Sequence, residues 1–227
     1  MIFNSREKAG KMLAKKLIEY KDRDDTVVLA LPRGGVSVAY YIAKELNLPL
    51  SIFFTKKIPS PYNKEVAIGS ISENGYIWLN QNAINYLGVT QDYINQKAKE
   101  ILKNMNDKKR LYGAKKIDVN NKIIILVDDG IATGASMILA ADALKKEGAK
   151  DIIVAVPVAP SEVKESICKK YKCAILHFDD NLMAVGRFYI DFHQLNDNEV
   201  INYLKEFNED SRNWCGIKAN RCSILFW

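Results

Sequence analysis

The run Ile123-Ile124-Ile125-Leu126-Val127-Asp128-Asp129-Gly130-Ile131-Ala132-Thr133-Gly134-Ala135-Ser136 constrains this 227-residue chain more than any other stretch. Five aliphatic residues in a row, bounded by acids and small residues, read as a strand buried on both faces, and such a strand needs helices above and below it. Two carboxylates stand at its carboxyl end, where ligands bind in an open α/β sheet. From Ala132 to Ser136, successive backbone N–H groups, two hydroxyls and a helix N-terminus form a site for a phosphate dianion. The acids beside it suit paired hydroxyls, as on the 2- and 3-positions of a ribose, because carboxylates accept hydrogen bonds. The loop has no Walker A lysine and the chain no GxGxxG, which excludes the nearest alternatives for a phosphate loop.

The rest of the chain supplies a matching frame. Apolar positions 9, 12, 13, 17 and 20 repeat with helical period between Asn4 and Tyr20, with Asn4 and Glu7 as a capping pair. Thr26 to Leu31 is a short apolar run ending at Pro32-Arg33-Gly34-Gly35, followed by a helix from Val36 to Leu46 and a second apolar run from Leu50 to Thr55. Strand, glycine loop, helix and strand make a βαβ unit with parallel pairing. Lys56 to Glu65, with its two prolines, reads as an exposed loop before a strand at Ala67 to Ser72 and a turn at Asn74-Gly75. A long helix is expected over 91–111, with Ile94, Ala98, Ile101 and Met105 on one face. Further on come a helix from Ser136 to Lys146, strands at Asp151 to Val158 and Cys173 to Phe178, and a helix at Glu162 to Tyr171 between them. The alternation predicts an α/β fold, a doubly wound and mostly parallel sheet.

The apolar strand, the two acids and the x-x-Thr-Gly-x-Ser loop resemble the PRPP signature of the type I phosphoribosyltransferases, where PRPP is 5-phosphoribosyl-1-pyrophosphate. Gly130 stands where a branched residue is more usual, and the order of strands agrees over roughly residues 26–180. The resemblance implies one domain over 1–207, with a core of about 22–180 and a small hood from 1–21 and 181–207; it leaves the role of 208–227 unassigned. It implies that Asp128 and Asp129 bind the ribose hydroxyls and offset positive charge as C1 becomes oxocarbenium-like, while Ala132, Thr133, Gly134, Ala135 and Ser136 hold the 5-phosphate. Arg33, Gly34 and Gly35 would form the pyrophosphate loop, which in the family often contains a cis peptide. Lys56 and Lys57, with Lys64 as a further candidate, would meet the pyrophosphate from a mobile loop that excludes water, Lys57 in a catalytic role. Val185, Phe188 and Asp191 look like the hood segment that faces the base in purine phosphoribosyltransferases, core packing being the alternative for these aromatics.

The activity so implied is transfer of phosphoribosyl from PRPP to a nitrogen nucleophile, a nucleobase-like acceptor, with Mg²⁺ carried by the pyrophosphate rather than by a protein metal site. Asp129 or a residue of the closing loop would serve as general base. The alternative is a PRPP-sensing regulator that binds nucleic acid without catalysis, which a net charge of +6 permits. Against it, the basic pairs are scattered near helix flanks and no helix-turn-helix is appended, so nucleic acid is not an expected partner. A homodimer is left open. No run is apolar and long enough to cross a bilayer and no secretory leader is visible, so a cytoplasmic location and no membrane partner are expected. Cysteines 168, 173, 215 and 222 are then expected as free thiols, with a Cys215–Cys222 bridge as an alternative. His177 and His193 show no ligand-like spacing and are read as structural.

Overall fold

The computed structural model describes residues 1–215. The chain opens with α1 (Arg6–Lys16), then runs through β1 (Thr26–Ala30), α2 (Gly34–Leu46) and β2 (Leu50–Ile52). A meander of β3 (Thr55–Pro59), β4 (Ala67–Ser72) and β5 (Ile77–Leu79) follows, and α3 (Gln81–Leu87) and α4 (Gln91–Leu111) lead back to the sheet. The second half alternates β6 (Ile123–Val127), α5 (Ala135–Lys146), β7 (Asp151–Ala159), α6 (Val163–Ser166) and β8 (Lys172–Phe178), and ends in α7 (Asp197–Cys215).

Five strands pair in the order β2-β1-β6-β7-β8, all parallel. Val28, Ala30, Ile125 and Val127 face one layer with α2 and α4, whereas Val27, Leu29, Ile124 and Leu126 face the other with α5. Burial on both faces explains why these strands show unbroken aliphatic runs instead of alternation. Counted along the chain, strand order reverses between β1 and β6, which makes their carboxyl ends the switch point where a crevice opens. The small appendage to this α/β core is the antiparallel sheet β3-β4-β5, and separately a parallel bridge pairs Phe3, ahead of α1, with Tyr189, after β8.

Several local expectations change. Ser5, not Asn4, caps α1, its side chain accepting from the Lys8 N–H at 3.3 Å. The apolar run 50–55 is split between β2 and β3, and the segment from Lys56 is not a free loop: Thr55–Pro59 pairs with Ser72–Ala67. Ile58 is fully buried while Lys56 and Lys57 face solvent, so mixed polarity marked a half-buried antiparallel strand. The 162–171 helix shrinks to Val163–Ser166. The cysteine expectation is corrected as well: Cys168 and Cys173 are disulfide-bonded, with Cα atoms 5.6 Å apart. Near the other end, Val200 and Leu204 are buried in the core and Tyr203 and Phe207 pack beside them, so a helix that the sequence reading missed runs from Asp197 through Cys215. The remainder of the 208–227 tail and the Cys215–Cys222 bridge lie outside the described residues.

Candidate functional site

β1 and β6 end side by side, with Ala30 opposite Val127 and the Leu31 N–H donating to the Val127 carbonyl at 2.8 Å. Residues 31–35 and 128–136 therefore leave the sheet together. The Pro32–Arg33 peptide is cis, and α2 begins directly at Gly34. A Cβ on Gly34 would lie 1.9 Å from an Asp129 carboxylate oxygen. One on Gly35 would lie 2.8 Å from the Val127 carbonyl oxygen and 2.9 Å from Asp128 Cα. The two glycines are what lets the first loop lie flat against the acid pair.

The pair itself is asymmetric. Arg6 on α1 is 7% exposed and meets Asp129 Oδ2 through both Nε and Nη2 at 2.9 Å. Its Nη1 donates to the His193 carbonyl at 2.9 Å, and its guanidinium lies 4.0 Å from the centre of the Phe192 ring. Asp128 accepts from the Asp129 N–H at 2.8 Å. Burial raises both carboxyls; the neighbouring Asp129 charge raises Asp128 further, whereas Arg6 draws Asp129 back down. Of the two, Asp128 is raised the more, and Asp129 stays the more acidic because the Arg6 guanidinium lies against it. The Tyr189 hydroxyl donates to the Asp129 carbonyl at 2.6 Å, and burial pushes this phenol up.

The second loop is open. Ala132, Thr133, Ala135 and Ser136 are exposed, while Ile131 is buried with its N–H bonded to the Val158 carbonyl at 2.9 Å. Gly134 turns the chain into α5 with φ +79°. Among the described residues no acceptor takes the N–H groups of Ala132, Thr133 or Gly134. A helix N-terminus with free donors and small side chains can take an anion. Gly130 has its own explanation: a Cβ there would lie 2.5 Å from Val185 Cγ1 and 3.0 Å from Val158. Val185 fills the room a branched side chain at position 130 would need, and so the 185–192 segment is seated against the residue after the acids.

Not every expected residue converges. Phe188 lies 5.7 Å from the His177 ring, and exposed Asp191 stands 3.3 Å from His193. His193 also meets Glu199 at 2.6 Å, and these two acids raise its pKa, Glu199 foremost. Lys56 and Lys57 make no ion pair with the acids among the described residues. Arg33 reaches Asp197 at the start of α7 at 3.4 Å; Asp197 also accepts from Tyr112 at 2.7 Å and Lys108 at 3.3 Å. The Tyr112 hydroxyl bond and Lys108 hold Asp197 below the usual carboxylate range.

The sequence reading missed Arg6, Tyr189 and Asp197. Only Arg6 carried a signal. It sits three residues before Ala9 and seven before Leu13, on the stripe of α1 that is buried, and a charge on such a stripe needs a buried partner.

Comparison with known proteins shows the family. A family model described as a phosphoribosyl transferase domain matches residues 2–192. Two Mycobacterium tuberculosis proteins, provisionally described as phosphoribosyl transferases, are 32% identical over 220 residues, 92% of this chain and 48% of theirs. The chain thus spans about half the length of these curated relatives. A uracil phosphoribosyltransferase of Ligilactobacillus salivarius is 52% identical over 48 residues, 21% of this chain and 23% of its own. The crystal structure of a protein from Thermus thermophilus superposes with a TM-score of 0.76 at 34% identity, covering 91% of this chain and 99% of that one. With a matched family model over most of its length and the acid pair at the switch point of its sheet, the chain belongs to the phosphoribosyl transferase domain family.

Proposed function

We propose that the chain transfers the 5-phosphoribosyl group of PRPP to a ring nitrogen of a nucleobase and releases pyrophosphate. The observation that carries this reading is the contact of Gly34 and Gly35 with Asp129 and Asp128, which brings a tight loop, a carboxylate pair and an open anion loop to one place. Asp128 and Asp129 receive the ribose hydroxyls, Ala132 to Ser136 the 5-phosphate, and Arg33 to Gly35 the pyrophosphate. As the bond from C1 to the pyrophosphate oxygen breaks, positive charge grows on the ribose, and the Asp129 carboxylate, held in place by Arg6, offsets it. The new bond forms from C1 to the base nitrogen, whose proton passes to Asp129 or to solvent.

Lys56 and Lys57 on the solvent face of β3 are assigned to the departing pyrophosphate, and Val185, Phe188 and Asp191 to the base, because Val185 is seated on Gly130 beside the acids. Mg²⁺ fits as a companion of the pyrophosphate, because it keeps most of its waters and is held chiefly by substrate phosphate oxygens, with one or two carboxylates at most. When bound it would neutralise the leaving group. A PRPP-dependent pyrophosphate-release assay over a panel of purine and pyrimidine bases tests the reading. Turnover is expected with at least one base, and Asp128→Asn with Asp129→Asn is expected to lower it about a thousandfold. Unchanged kinetics in that variant would overturn the assignment.

A further inference from the structure

A cavity of 580 Å³ opens beside the edge strand β2 and shares no residue with the loops at 31–35 and 128–136. That volume lies within the range of small-molecule sites. Leu29, Phe53, Val119 and Leu144 give it an apolar floor. Four cations and two carboxylates line it, and their pairing is uneven. Lys109 is held by Glu73, which also accepts from the Phe54 N–H at 2.8 Å. Arg110 reaches Asp107 at 2.6 Å, and Glu147 accepts from Asn74 at 3.0 Å. Lys115 and Lys116 have no acidic partner among the described residues, nor does the Asn106 amide have a hydrogen-bond partner. Nor are these lysines on a loose strand of coil: the Lys115 carbonyl accepts from the buried Ser51 hydroxyl on β2 at 2.6 Å, which pins the backbone at the rim.

Unpaired cations alone would suit any anion, and an apolar floor alone any hydrophobe. Together with a free amide they match one ligand chemistry, an apolar planar body with hydrogen-bonding edges and a phosphate tail. We propose that this cavity binds a nucleoside mono- or diphosphate at a site separate from the acid pair. The phosphates meet Lys115 and Lys116, and the base lies over Leu29 and Phe53 within reach of Asn106.

Isothermal titration of the full chain with ADP tests this, with ribose 5-phosphate present at saturation to occupy the acid-pair site. One ADP per chain is expected, and Lys115→Ala with Lys116→Ala is expected to weaken it at least tenfold. Titrated without ribose 5-phosphate, Asp128→Asn with Asp129→Asn should bind ADP as the parent does at this site. ADP uptake lost in the acid variant and kept in the lysine variant overturns the proposal. So does no uptake by the parent, or pyrophosphate binding as tightly as ADP, which would remove the nucleoside from the assignment. Lys116 is exposed and Lys115 half-buried, and an unchanged Tm in the double variant confirms that the loss is one of binding.

Discussion

Two glycine-bearing loops meet at the acid pair, and they need glycine for opposite reasons. In the 31–35 loop the helix starts at once, and a side chain on Gly34 would stand where the Asp129 carboxylate is. In the 130–136 loop Gly134 has φ +79°, and an added Cβ would meet only side-chain atoms, Ile167 Cδ1 at 3.1 Å and Ile131 Cγ2 at 3.6 Å foremost. The first loop is defined by what lies against it, the second by the direction in which it turns. Close approach therefore fixes how the loops sit relative to each other, whereas the turn fixes the shape of one loop and leaves its N–H groups open to an anion.

The acid pair is the surface the first loop rests on, so removing its support is the harshest way to break the comparison. Arg6→Ala leaves a largely buried carboxylate without its cation and should lower unfolding free energy by about 3 kcal/mol, read by urea denaturation. Arg6→Lys should recover part of that. A loss under about 1 kcal/mol would mean that Asp129 finds solvent or another donor, and that the wall against Gly34 is soft. Gly35→Ala should cost about 2 kcal/mol, because the two nearest atoms it meets are backbone and cannot swing aside. Gly134→Ala should cost about 1 kcal/mol, the strain of a positive φ. The reverse order would show that turning, not contact, governs both loops.

Val185 sharpens the same contrast from the side of the second loop. Gly130→Ala places a methyl against Val185, and Val185→Ala makes room for it, so a double-mutant cycle should show a favourable coupling of about 1 kcal/mol. Additive effects would mean that the 185–192 segment is not seated on residue 130. The close approach of Val185 to Gly130 also fits the departure from the usual motif: a branched side chain does stand beside residue 130, but it comes from residue 185.

What could be read from the sequence divides along similar lines. The aliphatic runs at 26–31 and 123–127, the acids and the small-residue loop are contiguous, so local chemistry was enough to place β1, β6 and the helix starts beside them. Arg6 and Asp129 are 123 positions apart, and nothing local to either names the other; only the charge on a buried helical stripe hinted at it. The β3 strand was hidden by its lysines, since an antiparallel strand with one wet face resembles a loop when prolines flank it. The Cys168–Cys173 bridge was hidden because a cytoplasmic chain is expected to keep free thiols, and α7 because its apolar stripe of Val200, Tyr203, Leu204 and Phe207 is interspersed with charged and amide residues.

The smallest effect separates the two acids themselves. Burial raises both carboxyls, Asp129 raises Asp128 further, and Arg6 keeps Asp129 the more acidic. A group whose folded pKa lies above its unfolded one binds more protons in the folded state. Its contribution to stability is complete below the unfolded value of about 3.9 and is lost as pH rises through the folded value. Asp128→Asn removes that loss without removing bulk, so its Tm should match the parent at pH 3.5 and exceed it by a few degrees, about 2–4 °C, at pH 7.5. Asp129→Asn should do the opposite at pH 7.5, because it deletes the partner of Arg6 and leaves that cation buried. Thermal melts of both variants across this range decide the matter: equal pH profiles would mean that the proton is shared evenly, and that Arg6 serves to hold α1 in place without setting which carboxylate carries the charge.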